Sequence, residues 1–505
     1  MATLGLKLCR DDINDEGDFL YALPRLHMPN ASASRFQFIA HALRADGPFR
    51  PVVSASMSAT GVSGVALSGP SYLVRYPRES DSKFARRNEV AFFASPLSRA
   101  CARFVGYMSM RPPSREMAND VFQRVADDVD GKGNNIDVFM HQFAVDAKAR
   151  GSMLLLVDMP AVLSASRAQQ IEDRTLPFWS SIRPEDVIDY ELGDDGKFQF
   201  CEFGGTFTKP GGGTVACTWH FDRTEWSARD TKAKLAQGVH SLGECPVLIF
   251  TEGGDFPLFG PFAAIADLGK RLFNADSELD EILRAQTFSL LTMQVPEQST
   301  DAQKIAAAQV AGETIGTSNL MVHGGSTPAF IAPPDGPARI YLDRIAGLRA
   351  EIDEVGLNVA TVNQQESGIA MQMRFQAING QLSKFSSRME DLERRAWDLC
   401  RRWLQMTMAP TTTWPRDFNI AEVQTELTIL ADMQAAGMPS AVIAEQQKRV
   451  VSLQFPGLEQ THVDELTQAI DEALLQPKST GNVIPLRADP NAPVRDAIVK
   501  ALGNG

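Results

Sequence analysis

Asp128, Asp130 and Gly133, in the stretch DDVDGKGNNIDVF (127–139), stand at the first, third and sixth positions of a calcium loop. There, two carboxylates would ligate the cation and the glycine would allow the sharp turn. The fifth position is Lys132 and the twelfth is Phe139. A cation in a ligand slot and a ring in place of the bidentate Glu both work against the metal. The stretch is therefore expected to be an acidic turn that starts a helix. Asn134 or Asn135 is the cap, and Ile136, Phe139, Met140, Phe143 and Ala147 form the apolar face.

Other residues with chemical potential fail on spacing. GVSGV (61–65) has Val65 where a nucleophile elbow needs its last glycine. Gly269–Lys270 lacks both the glycine a phosphate loop needs five residues earlier, where Ala264 stands, and the hydroxyl after the lysine, where Arg271 stands. The glycine run at 211–213 lies between strand patterns and predicts a hairpin. His220, among aromatics in TWHF, has no second ligand in view and is expected to be a buried, hydrogen-bonded histidine. Asp194 and Asp195 fall in a turn and should face water. Cys9, Cys101, Cys201, Cys217, Cys245 and Cys400 are scattered, with no Cys-x-x-Cys pair, as expected of free thiols in a reduced setting. No catalytic constellation emerges, and no cofactor or metal is expected.

The chain of 505 residues, 44% apolar, has material for more than one structural unit. No run approaches the roughly 18 apolar residues of a membrane span, and the first residues lack the apolar core of a secretion signal. A net charge of −13 argues against nonspecific gripping of nucleic acid, which depends on cations that displace counterions. It does not exclude DNA passing close by.

Candidate elements follow in order. Residues 1 to about 70 hold one helix, in ASRFQFIAHALRA, and a loose stretch, SASMSATGVSGVALSGP. FARRNEVAFFASPLSRACARFVGYM reads as helix and is stopped by RPPS. Residues 151–253 alternate or cluster apolar residues between Gly, Pro and Asp turns, as strands do. A long helical segment follows Pro257, and then an insertion in which LLTMQV and NLMVHGG read as strands around a small helix. ARIYLDRIAGLRAEIDEVGLNVA is a second long helix, and TVNQQESG is polar. In the third long helix, Ile378, Leu382, Phe385, Met389, Leu392, Ala396, Leu399 and Trp403 step by four and three into one apolar seam. Arg388, Glu390, Asp391, Glu393, Arg394 and Arg395 lie off it and are expected on a solvated face or polar interface. Helices continue to about 475, with Ser440 a candidate N-cap, and the last thirty residues read as a mobile tail.

This order of elements, and several stretches within it, resembles the portal proteins (head-to-tail connectors) of tailed bacteriophages. RRNEVAFFASPLSRACARFVGYMSMRPP is similar to the helix that opens the portal body, and DVDGKGNNIDVFMHQFAVDAKARGSMLLLVDMP to its acidic turn, helix and first strand. LGECPVLIF and FPLFGPFAAIADLGKRLFNADSELDEIL look like the entry to its stem, and QQESGIAMQMRFQAINGQLSKFSSRMEDLERRAWDLC like the loop and long helix beyond it. The likeness spans roughly residues 84–475 and rests on ordered composition and spacing.

The resemblance implies an α+β, mainly helical, portal-type subunit with wing, stem, clip and helical crown. By carry-over, 1–70 is an N-terminal segment of unassigned role, 71–256 the wing, 257–289 the first stem helix, 290–337 the clip and 338–360 the second stem helix. The tunnel loop is 361–372, the long wing helix 373–409, the crown 410–475 and the tail 476–505. It implies a homo-oligomeric ring of about twelve chains at one capsid vertex of the virion, assembled in the host cytoplasm, with no catalysis of its own. Double-stranded DNA would pass through it in packaging and ejection. Its partners would be the large terminase subunit, the major capsid or scaffold protein and a head-tail adaptor. Asp276, Glu278, Asp280 and Glu281 on the first stem helix, and Glu351, Asp353 and Glu354 on the second, are candidates for acidic positions near the channel. Pairing with Lys270, Arg271, Arg284, Arg344 and Arg349 across subunits is the alternative. Asn363, Gln364, Gln365, Glu366 and Ser367 are the tunnel-loop candidates. Competing readings are another coiled-coil virion or scaffold protein, which would need the seam to continue past 405, and an enzyme with an unfamiliar site in 151–256.

Overall fold

The computed structural model describes residues 32–58, 61–160, 169–170, 175–209, 212–231, 233–287, 290–294, 319–323, 330–331, 336–356, 368–418, 423–454 and 460–475. It mixes helix (51%) and strand (20%), as an α+β chain does. It divides into one unit up to Phe418 and another from Asn419. The tunnel-loop candidates Asn363 to Ser367, the small helix of the insertion, Cys9 and the tail lie outside the described residues.

The first unit is built around α8 (Gly368–Trp403), a 36-residue helix. Its seam residues from Ile378 to Leu399 are buried, and Trp403 is half-buried. They pack against α1 (Ala33–Arg44), α3 (Pro96–Ser109), α4 (Asp120–Asp127) and α5 (Ile136–Arg150) in one core. Edge-to-face rings join the layers: Phe104 to Phe385 at 5.5 Å, Trp179 to Trp397 at 5.0 Å, and Phe143 to Phe250 at 6.0 Å between centroids.

Local chemistry sets the boundaries. The stretch expected as one helix from Phe84 onward is two, α2 (Asp81–Val90) and α3, broken at residues 91–95. Ser95 accepts the N–H of Ser98 and Pro96 takes the first helical position, where its missing donor costs nothing. The loose stretch is instead an antiparallel hairpin, β1 (Val52–Ser58) with β2 (Gly61–Ser68), carrying a bulge at Ser56/Met57. Asn135 is the cap of α5, accepting from Val138, and Gly151 ends that helix in the left-handed region at φ 85°.

Strand β3 (Ser114–Glu116) pairs with β15 (Thr411–Thr413), returning the chain after α8 to the body. The region 151–253 holds two sheets. β4 (Ser152–Asp158) sits between β5 (Phe178–Ile182) and β11 (Val247–Thr251). β6 (Val187–Leu192), β7 (Phe198–Thr208), β8 (Thr214–Asp222), β9 (Glu225–Arg229) and β10 (Lys234–Val239) form an antiparallel meander. Of the glycine run, the described Gly212 and Gly213 lie in the β7–β8 hairpin, closed by the Lys209 N–H on the Gly213 carbonyl. Leu154, Leu156, Phe198, Phe203 and Phe221 fuse the two sheets into a second core.

Glu393 corrects the expectation of a solvated charged face. It is fully buried, bound by Arg115 and by the indole N–H groups of Trp397 and Trp414. Two cations with no solvent exposure are buried as well. Arg150 pairs with Asp146 and Glu185 at 2.5 and 2.6 Å. Lys148 pairs with Glu252 between the rings of Phe104 and Phe262, 4.1 and 4.3 Å from their centroids.

The second unit holds α9 (Val423–Ala435), α10 (Ser440–Gln454) and α11 (Gln460–Leu475). Ser440 is the first residue of α10, and Pro439, not Ser440, stands at the cap, its carbonyl accepting from Val442 and Ile443. Gln446 on Glu426 (2.5 Å) and Lys448 on Asp471 (2.6 Å) link the three helices.

Candidate functional site

Two helices leave the first body together: α6 (Ala263–Thr287) and α7 (Gly336–Val355). Gly356 beside Ile265, Arg349 beside Asp276 and Tyr341 bound to Glu278 show that they run antiparallel. The first half of α6 is rooted in the body. Ala263, Ile265, Ala266 and Phe273 are buried there, Arg35 clamps Asp267 with two bonds of 2.8 and 2.5 Å, and Asn274 exchanges bonds with the backbone of Tyr72 and Val74. Beyond that, Ala275 and Leu279 meet Ala338, Ile345 and Leu348 of α7. At the far end, β12 (Leu290–Gln294) lies between β13 (Asn319–His323), parallel to it, and β14 (Phe330–Ile331), antiparallel. These strands form a sheet within one chain.

α7 is anchored on one side only. Its buried residues Ala338, Ile345, Leu348 and Ile352, with half-buried Tyr341 and Val355, repeat at steps of three and four. Most of the remaining circumference is exposed, including the apolar side chains of Ile340 (70%) and Leu342 (53%).

The predicted acids divide by environment. Asp276 is half-exposed and 3.9 Å from Arg349. Burial, reinforced by Asp280, raises its carboxyl above the usual range against the pull of Arg349. Glu278 bonds the hydroxyl of Tyr341, and that bond together with burial pushes the phenol up to about 12. Glu281 lies between Lys83 of the body (3.7 Å) and Arg284 (3.4 Å). Asp280, Glu351 and Glu354 are exposed, and Asp353 is half-buried. Asp276 and Glu281 thus pair within their own chain, and Lys83 is a partner that sequence reasoning did not name. Lys270 leans over the ring of Tyr72 at 5.0 Å.

Open grooves flank the pair. One, of about 500 Å³, is lined by Phe92, Arg99, Arg103, Asp276, Arg349 and Asp353. The other, of about 570 Å³, is lined by Val74, Lys270, Arg271, Glu278, Ile340 and Arg344. Arg99, Arg103 and Phe92 were missed from sequence. The available signal was the four-residue spacing of the two arginines, opposite the apolar stripe of α3.

The other candidates have structural roles. Asp128 and Asp130 accept backbone N–H groups of their own loop, from Gly133 at 2.6 Å and Lys132 at 3.0 Å. Burial would raise the Asp130 carboxyl, but bonds from Asn134 and the loop backbone outweigh it and hold it below its usual value. Millimolar calcium is accordingly expected to leave the melting temperature unchanged, whereas Asp130→Ala should lower stability by about 1 kcal/mol. Calorimetry checks both. His220 is only partly buried, a correction, and bonds Glu202 at 2.9 Å. Asp194 and Asp195 are exposed. Among the described residues no group of His, Cys, Asp and Glu is arranged to hold a metal ion, and no helix is long and apolar enough to cross a membrane. Cys101, Cys201, Cys217, Cys245 and Cys400 are free thiols, and burial raises the pKa of each.

No protein-family model matches the chain, and no curated protein matches it. Among solved structures it is similar to a chain in the neck of an empty GTA particle computed with C6 symmetry, at 11% identity and a TM-score of 0.38, over 68% of this chain and 85% of that one. It is also similar to a chain in the neck of a native GTA particle computed with C12 symmetry, at 8% identity and 0.37, over 74% and 89%. At this level the likeness is one of weakly similar chain paths.

Proposed function

We propose that the chain is a portal-type subunit, without catalysis of its own, whose copies form a ring of about twelve at a capsid vertex and conduct double-stranded DNA during packaging and ejection. The observation that carries this reading is the antiparallel pair α6–α7, rooted in a rigid body at one end, bearing a small sheet at the other, with α7 buried along a single seam. A helix that leaves most of its circumference bare, with Ile340 and Leu342 exposed, suits one stave of a larger wall. In this reading α6 and α7 are the stem, the sheet β13–β12–β14 is the clip that meets the terminase and later the adaptor, and the second unit is the crown.

A net charge of −13 suits the task, because an acidic conduit repels phosphate and leaves DNA free to slide. Glu354 stands on the side of α7 opposite its seam with α6, and among the candidate acids it is the one we assign to the lumen. A free coiled-coil assembly protein is disfavoured by the seam of α8. That seam is spent inside the chain's own core, and the helix stops at Trp403, before Gln405 turns to φ 52°.

Light scattering after size exclusion, with electron microscopy of the same peak, tests the reading. Rings with a central hole are the expected result. A compact dimer at all concentrations would overturn it.

A further inference from the structure

Independently of the ring reading, we infer that the groove shared by α3, α6 and α7 is a binding site for a nucleoside phosphate, its guanidinium groups taking the phosphate and Phe92 the base. Three elements build it. α6 contributes Gly269, Leu272, Phe273 and Asp276, and α3 approaches so closely that a Cβ on Gly269 would lie 3.0 Å from Pro96. α3 presents Arg99 and Arg103, and α7 presents Arg349 and Asp353. Residues four apart share a helix face about 6 Å apart along the axis, so each of these pairs lines the groove together. Its volume of about 500 Å³ is that of a small-ligand cleft.

The side chains of Arg99 and Arg103 make no ion pair or hydrogen bond among the described residues, although Arg103 is half-buried. A guanidinium carries five donors, and one partly withdrawn from water favours an acceptor supplied from outside. Arg349 has Asp276 at 3.9 Å, the outer limit of an ion pair. Asp353 is the other carboxylate of the lining. Arg50 brings a fourth guanidinium to the rim, 5.3 Å from the centroid of the Phe92 ring, so the cations outnumber the carboxylates. Phe92 is 70% exposed and open to stacking. Guanidinium forks match phosphate oxygens bidentately, and an exposed ring among arginines holds a base beside its phosphate. The second groove also has cations, but its ring, Tyr341, is tied to Glu278. Asp276 is a like charge to the ligand, so its removal should tighten binding.

Calorimetric titration of the purified chain with ATP, with inorganic pyrophosphate and with a short oligothymidylate strand tests this. Saturable binding of ATP or of the strand is expected, and which of the two binds tells a free nucleotide from a nucleic acid as the source. Arg99→Ala with Arg103→Ala should weaken that binding about tenfold or more. Phe92→Ala should weaken it about tenfold and leave pyrophosphate binding unchanged, since only the base is lost from the ring. Asp276→Asn should tighten it about threefold, a gain that no folding defect produces. Arg271→Ala with Arg344→Ala, in the second groove, should leave it unaltered, and circular dichroism checks that every variant folds. The site is overturned if the wild type shows no saturable binding, if binding survives the loss of Arg99 and Arg103, or if it falls as much with Arg271 and Arg344. Pyrophosphate binding as tightly as ATP, with or without Phe92, would overturn the nucleoside assignment.

Discussion

Replacing Glu393 by alanine should destabilise the first unit by about 3–5 kcal/mol, the range for removing one partner of a buried charge pair. The carboxylate is fully buried and accepts from Arg115 Nε at 2.5 Å and Nη2 at 3.1 Å, from the Trp414 indole at 2.8 Å, from Thr412 Oγ1 at 3.1 Å and from the Trp397 indole at 3.2 Å. Removing it strands a guanidinium whose side chain is 8% exposed and leaves two indole donors without their acceptor. Arg115 would keep only Asp137, at 2.6 Å on the surface side. The damage should be directional. Thr412 and Trp414 belong to the segment that pairs β15 with β3, so that strand pair should lose amide protection before the rest of the body. Urea denaturation read by tryptophan fluorescence gives the magnitude, and hydrogen exchange gives the location. Glu393→Gln keeps the shape and one acceptor and should fall about midway. Arg394→Ala, one residue away on the exposed face with only an i,i+3 partner in Asp391, should change stability by less than about 0.5 kcal/mol. Equal effects at 393 and 394 would show that the buried cluster contributes nothing.

Glu393 also marks where the sequence stops being legible. The seam of α8 could be read from periodicity because a helix buried on one stripe repeats its apolar residues at three and four. α8 is central, however, and its buried arc extends past that stripe to Trp397, Cys400 and Glu393. A charge in the wider arc looks like surface until its partners are known, and all of those except Trp397, one turn along the same helix, come from residues 115, 412 and 414, which only the tertiary fold brings near. The Asn135 cap and the β7–β8 hairpin were legible because their chemistry is local. The β1–β2 hairpin was not, since a Ser-, Ala- and Gly-rich stretch carries little of the β-branched and aromatic signal that marks strands. The break at residues 91–95 was obscured by apolar residues on both sides, although the Ser95–Pro96 start of α3 was present in the text. For the candidate site, the acids of α6 and α7 could be named from sequence, but their sorting into intrachain pairs and opposite flanks depends on how the two helices pack.

Gly151→Ala should be more damaging than any loss of one methyl-sized contact, at about 4 kcal/mol or more, enough to threaten folding altogether. Gly151 sits at φ 85°, where a side chain costs about 1 kcal/mol or somewhat more. The larger effect is steric. A Cβ there would lie 1.9 Å from the backbone nitrogen of Gly260 and 2.4 Å from its Cα, and backbone cannot rotate aside as a side chain can. The close approach is built in from both directions, since the Gly260 N–H donates to the Arg150 carbonyl and the Glu252 N–H to that of Gly151. The end of α5 is thereby stitched to the segment that leads into α6. A substitution that forces the two apart should loosen the root of the helix pair, so ring assembly should fail in any protein that still folds. Gly131→Ala separates the two contributions: it has φ 67° with no atom within 4 Å of the added carbon, so only the conformational cost of about 1 kcal/mol applies. Denaturation midpoints of the two variants, with scattering mass for assembly, make the comparison. Comparable losses at both positions would mean that the Gly151–Gly260 contact is not what fixes α6 to the body.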